Sequence, residues 1–435
     1  MIHTNKPIII YVDNLRRDYL VADTLRQYLE KKRHKVFLVS RINYSFCLKY
    51  IQTDLVIIVK NYFQTFSPKV LGFINKKTTV ILVDAEGAQT PERCKFWLEV
   101  YKMNVTDLSK RCDKIFTWNQ NFINFMSKEI NVPESKYSPS GSSKVNLAIT
   151  CSKFLKKTER DSIGIIGRFL MINDFASRTT LENMSRAFYE KDEFKMGSKG
   201  EILSLYVYLE LIEELIKNTN YKISIRPHPN EKISSYKEIL KKYPDRITLS
   251  EKYEDFIEWM FKQDKLICTP STSIIEPIIC KIPIISIHNI VQGTTLRSYI
   301  EHMLDSFLTM VDAPSNIKDL IDIVKQKKIV TKNETKEYIQ ARNLYYNIDK
   351  DASTGVKGFL DVIDYINNNF VADRNNKINF FFSNLIYLIS NLPFYIKTII
   401  KKNLLKSEVY NQYYDYNCFL IKKQKFAKKI ASIFD

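Results

Sequence analysis

The chain lacks every cysteine pattern that would build a metal site or a disulfide framework. Its seven cysteines are odd in number, scattered, and contain no C-x-x-C pair: Cys47, Cys94, Cys112, Cys151, Cys268, Cys280 and Cys418. This spacing argues against a zinc finger and indicates thiols that stay reduced, as they do in a cytoplasm.

Long apolar runs are missing as well. No segment offers about 18 uninterrupted apolar residues, so no membrane span is predicted. The N-terminal segment enters the strand-like run Lys6–Val12 directly, without the apolar stretch of a secretion signal. With 45% hydrophobic residues, the composition is typical of a soluble protein with a well-formed core. We therefore expect a cytoplasmic protein.

Acidic residues are scarce relative to basic ones. The 66 Lys and Arg against 48 Asp and Glu give a formal net charge of +18, which indicates an anionic partner unless it reflects only an AT-rich genome. A nucleic-acid-binding protein is the non-enzymatic alternative. No helix-turn-helix, zinc finger or aromatic RNA-binding motif occurs, and much of the excess lies near the C-terminus. We therefore predict no nucleic-acid partner.

Short apolar runs alternate with longer amphipathic ones along most of the chain, as in βαβ units. Runs that are apolar throughout are expected in parallel sheets covered by helices on both faces. The pattern predicts an α/β protein with two doubly wound domains, residues 1–150 and 151–370, facing across a cleft. The Pro-, Ser- and Gly-rich segment Pro133–Ser143 is predicted to be the linker.

Residues 371–435 differ in composition from the rest of the chain. The segment Ile378–Ile400 is aromatic and apolar, and lysines follow it at Lys401, Lys402 and Lys406. This predicts a helical tail that lies on an anionic membrane surface, placing the protein on the inner face of the cytoplasmic membrane. The alternative is a tail that packs back across the domains.

The first candidate motif follows the strand-like segment that ends at Val83. Asp84 and Glu86, just before Gly87, would lie at the carboxyl edge of a sheet. A carboxylate there can accept a proton from an attacking hydroxyl. Metal binding and simple helix capping are the alternatives.

The second motif is Arg226-Pro227-His228-Pro229 at the end of another strand. The two prolines fix the backbone around His228, as suits a group that donates to a phosphate or a leaving group. Arg226 can add a planar charged donor. A proline-ordered turn with an incidental histidine is the alternative.

The third motif places three hydroxyl residues, Ser271, Thr272 and Ser273, at a strand-to-helix turn, with Glu276 close behind. Such a turn can bind phosphate, and Glu276 can hold ribose hydroxyls. Ordinary helix capping explains the same residues.

Two weaker features accompany these motifs. Gly167 and Arg168 end the first strand of the second domain, where glycine permits close approach to a nucleotide, although no G-x-G-x-x-G fingerprint is present. Arg16, Arg17 and Asp18 follow the first strand of the chain and could bind an anionic acceptor; a solvated helix start is the alternative.

In this order, the three motifs resemble those of bacterial sialyltransferases, polysialyltransferases and Kdo transferases. The whole chain, including its opening YVDNLRRDYL, is similar to surface carbohydrate biosynthesis proteins. The resemblance implies a GT-B fold, a CMP-activated donor such as Kdo or another nonulosonic acid, a glycan or lipid-linked glycan acceptor, and no metal or other cofactor.

The resemblance also implies roles for individual residues. Glu86 would be the catalytic base supported by Asp84, although Ala85 separates two acids that sialyltransferases often have adjacent, so which of them is the base stays open. His228 would contact the CMP phosphate, which Ser271, Thr272 and Ser273 would bind. Arg226 or Arg168 would serve the carboxylate of the sugar.

Two other enzyme classes share these features. A teichoic-acid-type glycerol- or ribitol-phosphate transferase using a CDP donor resembles the His-Pro and Ser-rich pattern. A nucleotide-sugar 2-epimerase also has two doubly wound domains. In such an epimerase, however, we would expect more acidic and histidine residues in the cleft than this sequence offers.

Overall fold

The structure is a computed structural model. It describes residues 2–4, 6–13, 15–41, 43–63, 68–85, 91–155, 161–169, 172–173, 191–228, 231–250, 254–291, 299–326, 333–348, 357–372, 382–391 and 425–432.

Helices and strands alternate along most of the chain. The described strands are β1 (Ile2–Thr4), β2 (Ile8–Val12), β3 (Val36–Ser40), β4 (Leu55–Lys60), β5 (Thr79–Asp84), β6 (Lys114–Thr117), β7 (Tyr137–Pro139), β8 (Ser162–Ile166), β9 (Lys222–Arg226), β10 (Ile247–Leu249), β11 (Lys265–Cys268), β12 (Ile284–Ser286) and β13 (Phe370–Ala372).

The described helices are α1 (Leu15–Lys31), α2 (Tyr44–Tyr50), α3 (Pro68–Leu71), α4 (Pro91–Arg111), α5 (Gln120–Ile130), α6 (Ser143–Phe154), α7 (Lys191–Asn218), α8 (Lys237–Lys242), α9 (Phe256–Met260), α10 (Ile275–Ile279), α11 (Tyr299–Leu308), α12 (Ile317–Lys325), α13 (Lys336–Tyr346), α14 (Lys357–Asn369), α15 (residues 382–391) and α16 (Lys425–Ala431). Asparagine side chains cap two of them: Asn119 accepts from the Phe122 amide before α5, and Asn316 accepts from the Asp319 amide before α12.

The first sheet has six parallel strands in the order β3-β2-β4-β5-β6-β7. The strands β2, β3 and β4 are buried along their whole length, because a parallel sheet is covered on both faces by its crossover helices. From β2 the chain goes to β3 on one side and then returns to β4 on the other. The carboxyl ends of β2 and β4 therefore form a topological switch point, where ligands of such sheets generally bind.

The second sheet has five parallel strands in the order β10-β9-β8-β11-β12. Its core is built largely from isoleucine and leucine of the strands together with the inner face of α7. The chain leaves β8 toward β9 and β10 and then crosses to β11 on the opposite side. The switch point of this sheet therefore lies between β8 and β11.

The chain divides into two compact units. Unit 1 comprises residues 1–151, 342–407 and 414–435, and unit 2 comprises residues 152–341 and 408–413. The first division falls within one residue of the predicted boundary. Residues 342–370, which we predicted in the second domain, group instead with unit 1, because α13 and α14 pack there: the Tyr346 ring lies 5.1 Å from the Trp118 ring, and that of Tyr365 lies 5.8 Å from Phe116.

The predicted linker Pro133–Ser143 is instead an integral part of unit 1. It forms a 3₁₀ turn, the edge strand β7 paired with β6, and the start of α6. Gly141 adopts a positive φ of 75°, and a Cβ there would lie 2.6 Å from the Tyr346 carbonyl oxygen. Proline, serine and glycine mark a tight buried turn here, not an exposed connection.

The described parts of the predicted tail pack on unit 1. The strand β13 pairs in parallel with β1, and the buried Ala427, Ile430 and Ala431 place α16 in the core, where it contacts α1. None of the helices among the described residues is long and apolar enough to span a bilayer.

Candidate active site

The switch point of unit 2 brings together two of the predicted segments. Arg168 follows β8, and its guanidinium Nη1 donates to the Pro270 carbonyl oxygen at 2.5 Å, in the turn that follows β11. Ser271 caps that turn, since its hydroxyl accepts from the Ser273 amide at 3.3 Å and lies 2.5 Å from the Ser273 hydroxyl. Ser271, Thr272 and Ser273 are all half-buried, so their hydroxyls are within reach of a ligand.

His228 lies at the same edge, on the loop after β9, and a buried carboxylate holds that loop in place. Glu231 Oε1 accepts from the His228 amide at 2.8 Å and from the Phe169 amide at 3.0 Å. Its Oε2 accepts from the Tyr236 hydroxyl. Glu231 thereby joins the loop after β8 to the loop that carries His228.

Glu231 is completely buried. Burial raises its pKa, while the hydrogen bonds from Tyr236 and from the two backbone amides oppose the rise. A buried carboxylate is tolerated only when donors surround it. We did not single out Glu231 from the sequence, because an acid in a short polar loop looks like a solvated residue.

Gly167 and Pro227 pack against each other behind this loop. The Gly167 amide donates to the Arg226 carbonyl at 2.8 Å. A Cβ on Gly167 would lie 3.1 Å from Glu231 Oε1 and 3.2 Å from the Pro227 Cα. A side chain at this position would therefore crowd the contact between the two loops, whether or not a nucleotide also approaches it.

The Arg226 side chain is held mainly by structural contacts. Its Nη2 donates to the Glu254 carbonyl at 3.0 Å, and its guanidinium lies 5.6 Å and 5.7 Å from the ring centres of Phe256 and Trp259. Its role toward a donor remains a prediction. Glu276 is the second residue of α10 and is half-buried, and its ribose-binding role also remains a prediction.

Unit 1 carries a cluster of charged side chains at its own switch point. Asp13 follows β2, Lys60 ends β4 and Asp84 ends β5; all three are at most 4% exposed. Lys60 and Asp84 are register partners on adjacent strands, and the Tyr62 amide donates to Asp84 Oδ1 at 3.1 Å. The predicted acid Asp84 is thus anchored beside a buried lysine.

Arg41, on the loop after β3, completes this cluster. Its guanidinium donates twice to Asp13, at 2.7 Å and 2.8 Å, which is the bidentate geometry of a strong ion pair. Burial pushes the pKa of Asp13 upward, but the hydrogen bonds and positive charge of Arg41 outweigh it, so that pKa is lowered. Burial lowers the pKa of Lys60 to about 8, and the charge of Asp13 opposes the shift.

Lys60 and Arg41 were absent from the sequence prediction. The signal that could have found Lys60 is its place at the last position of an otherwise apolar strand, LVIIVK, since a charge there faces the ligand edge of the sheet.

The remaining predicted site residues are Glu86, Arg16, Arg17 and Asp18. The predicted base Glu86 and the Arg16 side chain lie outside the described residues. Asp18 is fully buried and pairs with Arg17 at 2.9 Å and with Lys144 of α6 at 3.5 Å, so its carboxylate ties α1 to α6. Among the described residues, no group of three or more His, Cys, Asp or Glu side chains is placed to hold a metal ion.

Comparison with known proteins adds information on the fold. No protein-family model and no curated protein matches the chain. A variant of the wall teichoic acid polymerase TagF superposes with a TM-score of 0.50 at 13% identity, covering 84% of this chain and 90% of that one. A Staphylococcus aureus MnaA–UDP structure gives 0.45 at 12% identity, with 83% and 96% covered.

The UDP-N-acetylglucosamine 2-epimerase of Rickettsia bellii gives a TM-score of 0.41 at 14% identity, with 84% and 99% covered. At such identities the likeness to the TagF variant speaks for the fold only. With the two parallel sheets, it confirms the predicted α/β class and the two Rossmann-like domains.

Proposed function

We propose that the protein is a glycosyltransferase that moves a sugar from a CMP-activated donor to a hydroxyl of a growing surface glycan. The sugar we expect is Kdo or another nonulosonic acid. The observation that carries the proposal is the switch point of unit 2. There the Arg168–Pro270 hydrogen bond joins the loop after β8 to the hydroxyl turn after β11, and Glu231 fixes the adjacent His228 loop.

The proposed chemistry is a displacement at the anomeric carbon without a metal ion. The acceptor oxygen bonds to that carbon, the bond from the carbon to the phosphate oxygen breaks, and CMP departs. Ser271 and Ser273 hydroxyls donate to the phosphate, and His228 stabilises the charge that develops on it. The acceptor proton passes to a carboxylate of the Asp84–Glu86 segment.

A second candidate is phosphotransfer from a CDP-alditol. The observation that favours it is the His-Pro and Ser-rich pattern of His228-Pro229 and Ser271–Ser273, which resembles that of teichoic-acid-type transferases; the fold shared with the TagF variant is compatible with it. In this reaction the acceptor oxygen attacks phosphorus and CMP again departs, so the two candidates share the nucleotide product and differ in the group that is transferred.

A donor panel separates these candidates. CMP release is measured with CMP-Kdo, CMP-sialic acid and CDP-glycerol in the presence of a lipid-linked glycan acceptor, and UDP-N-acetylglucosamine conversion is followed in parallel. We expect release from a CMP sugar. Release from CDP-glycerol alone supports the phosphotransferase, whereas conversion of the UDP sugar with no CMP release contradicts both.

His228 provides the matched test of the site. His228→Ala is expected to lower CMP release at least about 100-fold, the usual contribution of a positioned acid or base. His288→Ala removes another half-buried histidine, whose Nδ1 lies 2.8 Å from the Ser286 hydroxyl, and should retain the rate within a few fold. Equal losses in the two variants would contradict the assignment.

A further inference from the structure

The described helix α15 carries apolar side chains on two opposite faces, and one of these faces packs on unit 1. Its inner face stacks the Tyr387 ring on Phe37 at 4.7 Å, and the Tyr387 hydroxyl donates to the Leu38 carbonyl at 2.8 Å. Because β3 is an edge strand of the first sheet, this contact covers part of its open side. The inner face therefore fixes α15 to unit 1.

The outer face of α15 carries four large apolar side chains that keep a large part of their surface exposed. Their exposed fractions are 58% for Phe382, 44% for Leu385, 62% for Leu388 and 45% for Ile389. Positions 382, 385 and 389 lie on one stripe of a helix, and 388 lies beside it. An exposed apolar stripe of this width on one helix marks an interaction surface.

The neighbouring helix α2 extends this surface. The two helices contact each other through the hydrogen bonds between Asn43 and Asn391 at 3.0 Å and between Cys47 and Ser390 at 3.3 Å. On α2, the rings of Phe46 and Tyr50 are 39% and 49% exposed and lie 4.7 Å apart.

Two described lysines lie over aromatic rings of α2 and β3 next to this surface. Lys49 lies over the Tyr50 ring at 5.0 Å, and Lys35 lies over the Phe37 ring, on which Tyr387 stacks, at 5.5 Å. Neither α2 nor α15 contains an acidic residue. Residues 374–407 also contain no Asp or Glu but have six basic residues: Arg374, Lys377, Lys397, Lys401, Lys402 and Lys406.

We propose that the outer face of α15, together with Phe46 and Tyr50 of α2, docks unit 1 onto an anionic lipid bilayer. The apolar side chains enter the boundary between headgroups and acyl chains, and basic side chains such as the exposed Lys49 meet anionic headgroups. This is binding to the surface of the membrane, not insertion across it. It is independent of the reaction proposed above.

The test uses the full chain and vesicles of defined composition. Co-sedimentation is measured with phosphatidylcholine vesicles that contain about 30 mol% phosphatidylglycerol, and with phosphatidylcholine alone. The double variant Leu385→Ser/Leu388→Ser removes two outward side chains without touching the inner face. The matched control, Met103→Ser/Tyr206→Ser, removes two other apolar side chains that are 73% and 67% exposed.

We expect the wild type and the control to bind the anionic vesicles, and the α15 double variant to bind at least about tenfold more weakly, since each outward leucine contributes to partitioning in proportion to its buried area. All three proteins should bind neutral vesicles weakly. In Leu388→Trp, the added indole should show a blue-shifted emission on anionic vesicles that Met103→Trp does not show.

Equal vesicle binding by the double variant and its control would overturn the proposal. So would a double variant that loses self-association in sedimentation velocity while it still binds vesicles, because a second copy of the chain would then cover this face. Far-UV circular dichroism and the thermal unfolding midpoint serve as the readout for correct folding, so the result does not depend on the catalytic proposal.

Discussion

At the scale of single residues, the position of His228 depends on the side chain of Glu231, which belongs to none of the three predicted motifs. His228 is conspicuous in the sequence because prolines flank it, yet its backbone is held by Glu231, three positions later. The sequence predicts which residues carry chemistry at a strand end. It does not predict which buried acid will satisfy the amides of the loop, because that depends on the fold around it.

Replacing Glu231 should therefore destabilise unit 2. Glu231→Ala leaves the Phe169 and His228 amides without their acceptor, and we expect a loss of about 3 kcal/mol in the free energy of unfolding. Glu231→Gln keeps one acceptor oxygen and should lose about 1 kcal/mol. Urea denaturation measures both, with Glu214→Ala on the surface of α7 as control. Equal stability of Glu231→Ala and the control would contradict this role.

Lys60 makes a pH-dependent contribution to the stability of unit 1. Its pKa is about 8 in the folded chain and near the usual 10.5 when unfolded. Between these values the unfolded state binds more protons, so this group makes stability rise with pH. The free energy of unfolding of the wild type should gain about 2 kcal/mol relative to Lys60→Met between pH 8 and pH 10. A constant difference between the two proteins would show that Lys60 titrates normally.

At the scale of helices and strands, the apolar pattern alone predicts most of the sheets. The apolar runs Ser162–Ile166 and Lys265–Cys268 predict strands that coincide with β8 and β11, and the predicted strand Lys6–Val12 begins two residues before β2. The segment Pro133–Ser143 was misassigned because proline, serine and glycine are typical of linkers and of tight turns alike. The pairing of β7 with β6 and the buried turn at Gly141 distinguish the two.

Gly141 tests that correction. In a flexible linker, Gly141→Ala would be neutral or slightly stabilising. In the buried turn, it forces a side chain into a left-handed conformation and toward the Tyr346 carbonyl. We expect a loss of about 2 kcal/mol, measured by thermal unfolding. Gly200→Ala in the helix α7 is the control and should stabilise by about 0.5–1 kcal/mol.

At the scale of the whole molecule, the C-terminal segments complete unit 1. The sequence left open whether the tail packs on the domains or binds a membrane. In the structure, the inner face of α15 packs on unit 1, and the side chains of its outer face are largely exposed. Sequence periodicity could not assign those faces, because apolar residues occupy both of them. The partner of each face is set by tertiary contacts.

Deleting residues 376–435 should therefore loosen unit 1 and leave unit 2 intact. The deletion removes α15 from the edge strand β3 and α16 from α1. Hydrogen exchange should accelerate in β3 and α1 while β8 and β9 keep their protection. Unchanged exchange in β3 would mean that the tail is dispensable for folding.

The most direct test of the proposed function is calorimetric titration of the full chain with CMP, UDP and GDP. If the switch point of unit 2 is a cytidine nucleotide site, CMP binds at least about tenfold more tightly than the other two nucleotides. In that case, Arg168→Ala, which removes the hydrogen bond that holds the turn at Pro270, and Ser271→Ala, which removes a hydroxyl donor to the phosphate, each weaken CMP binding by about tenfold. Binding of UDP or GDP with no binding of CMP would contradict the assignment.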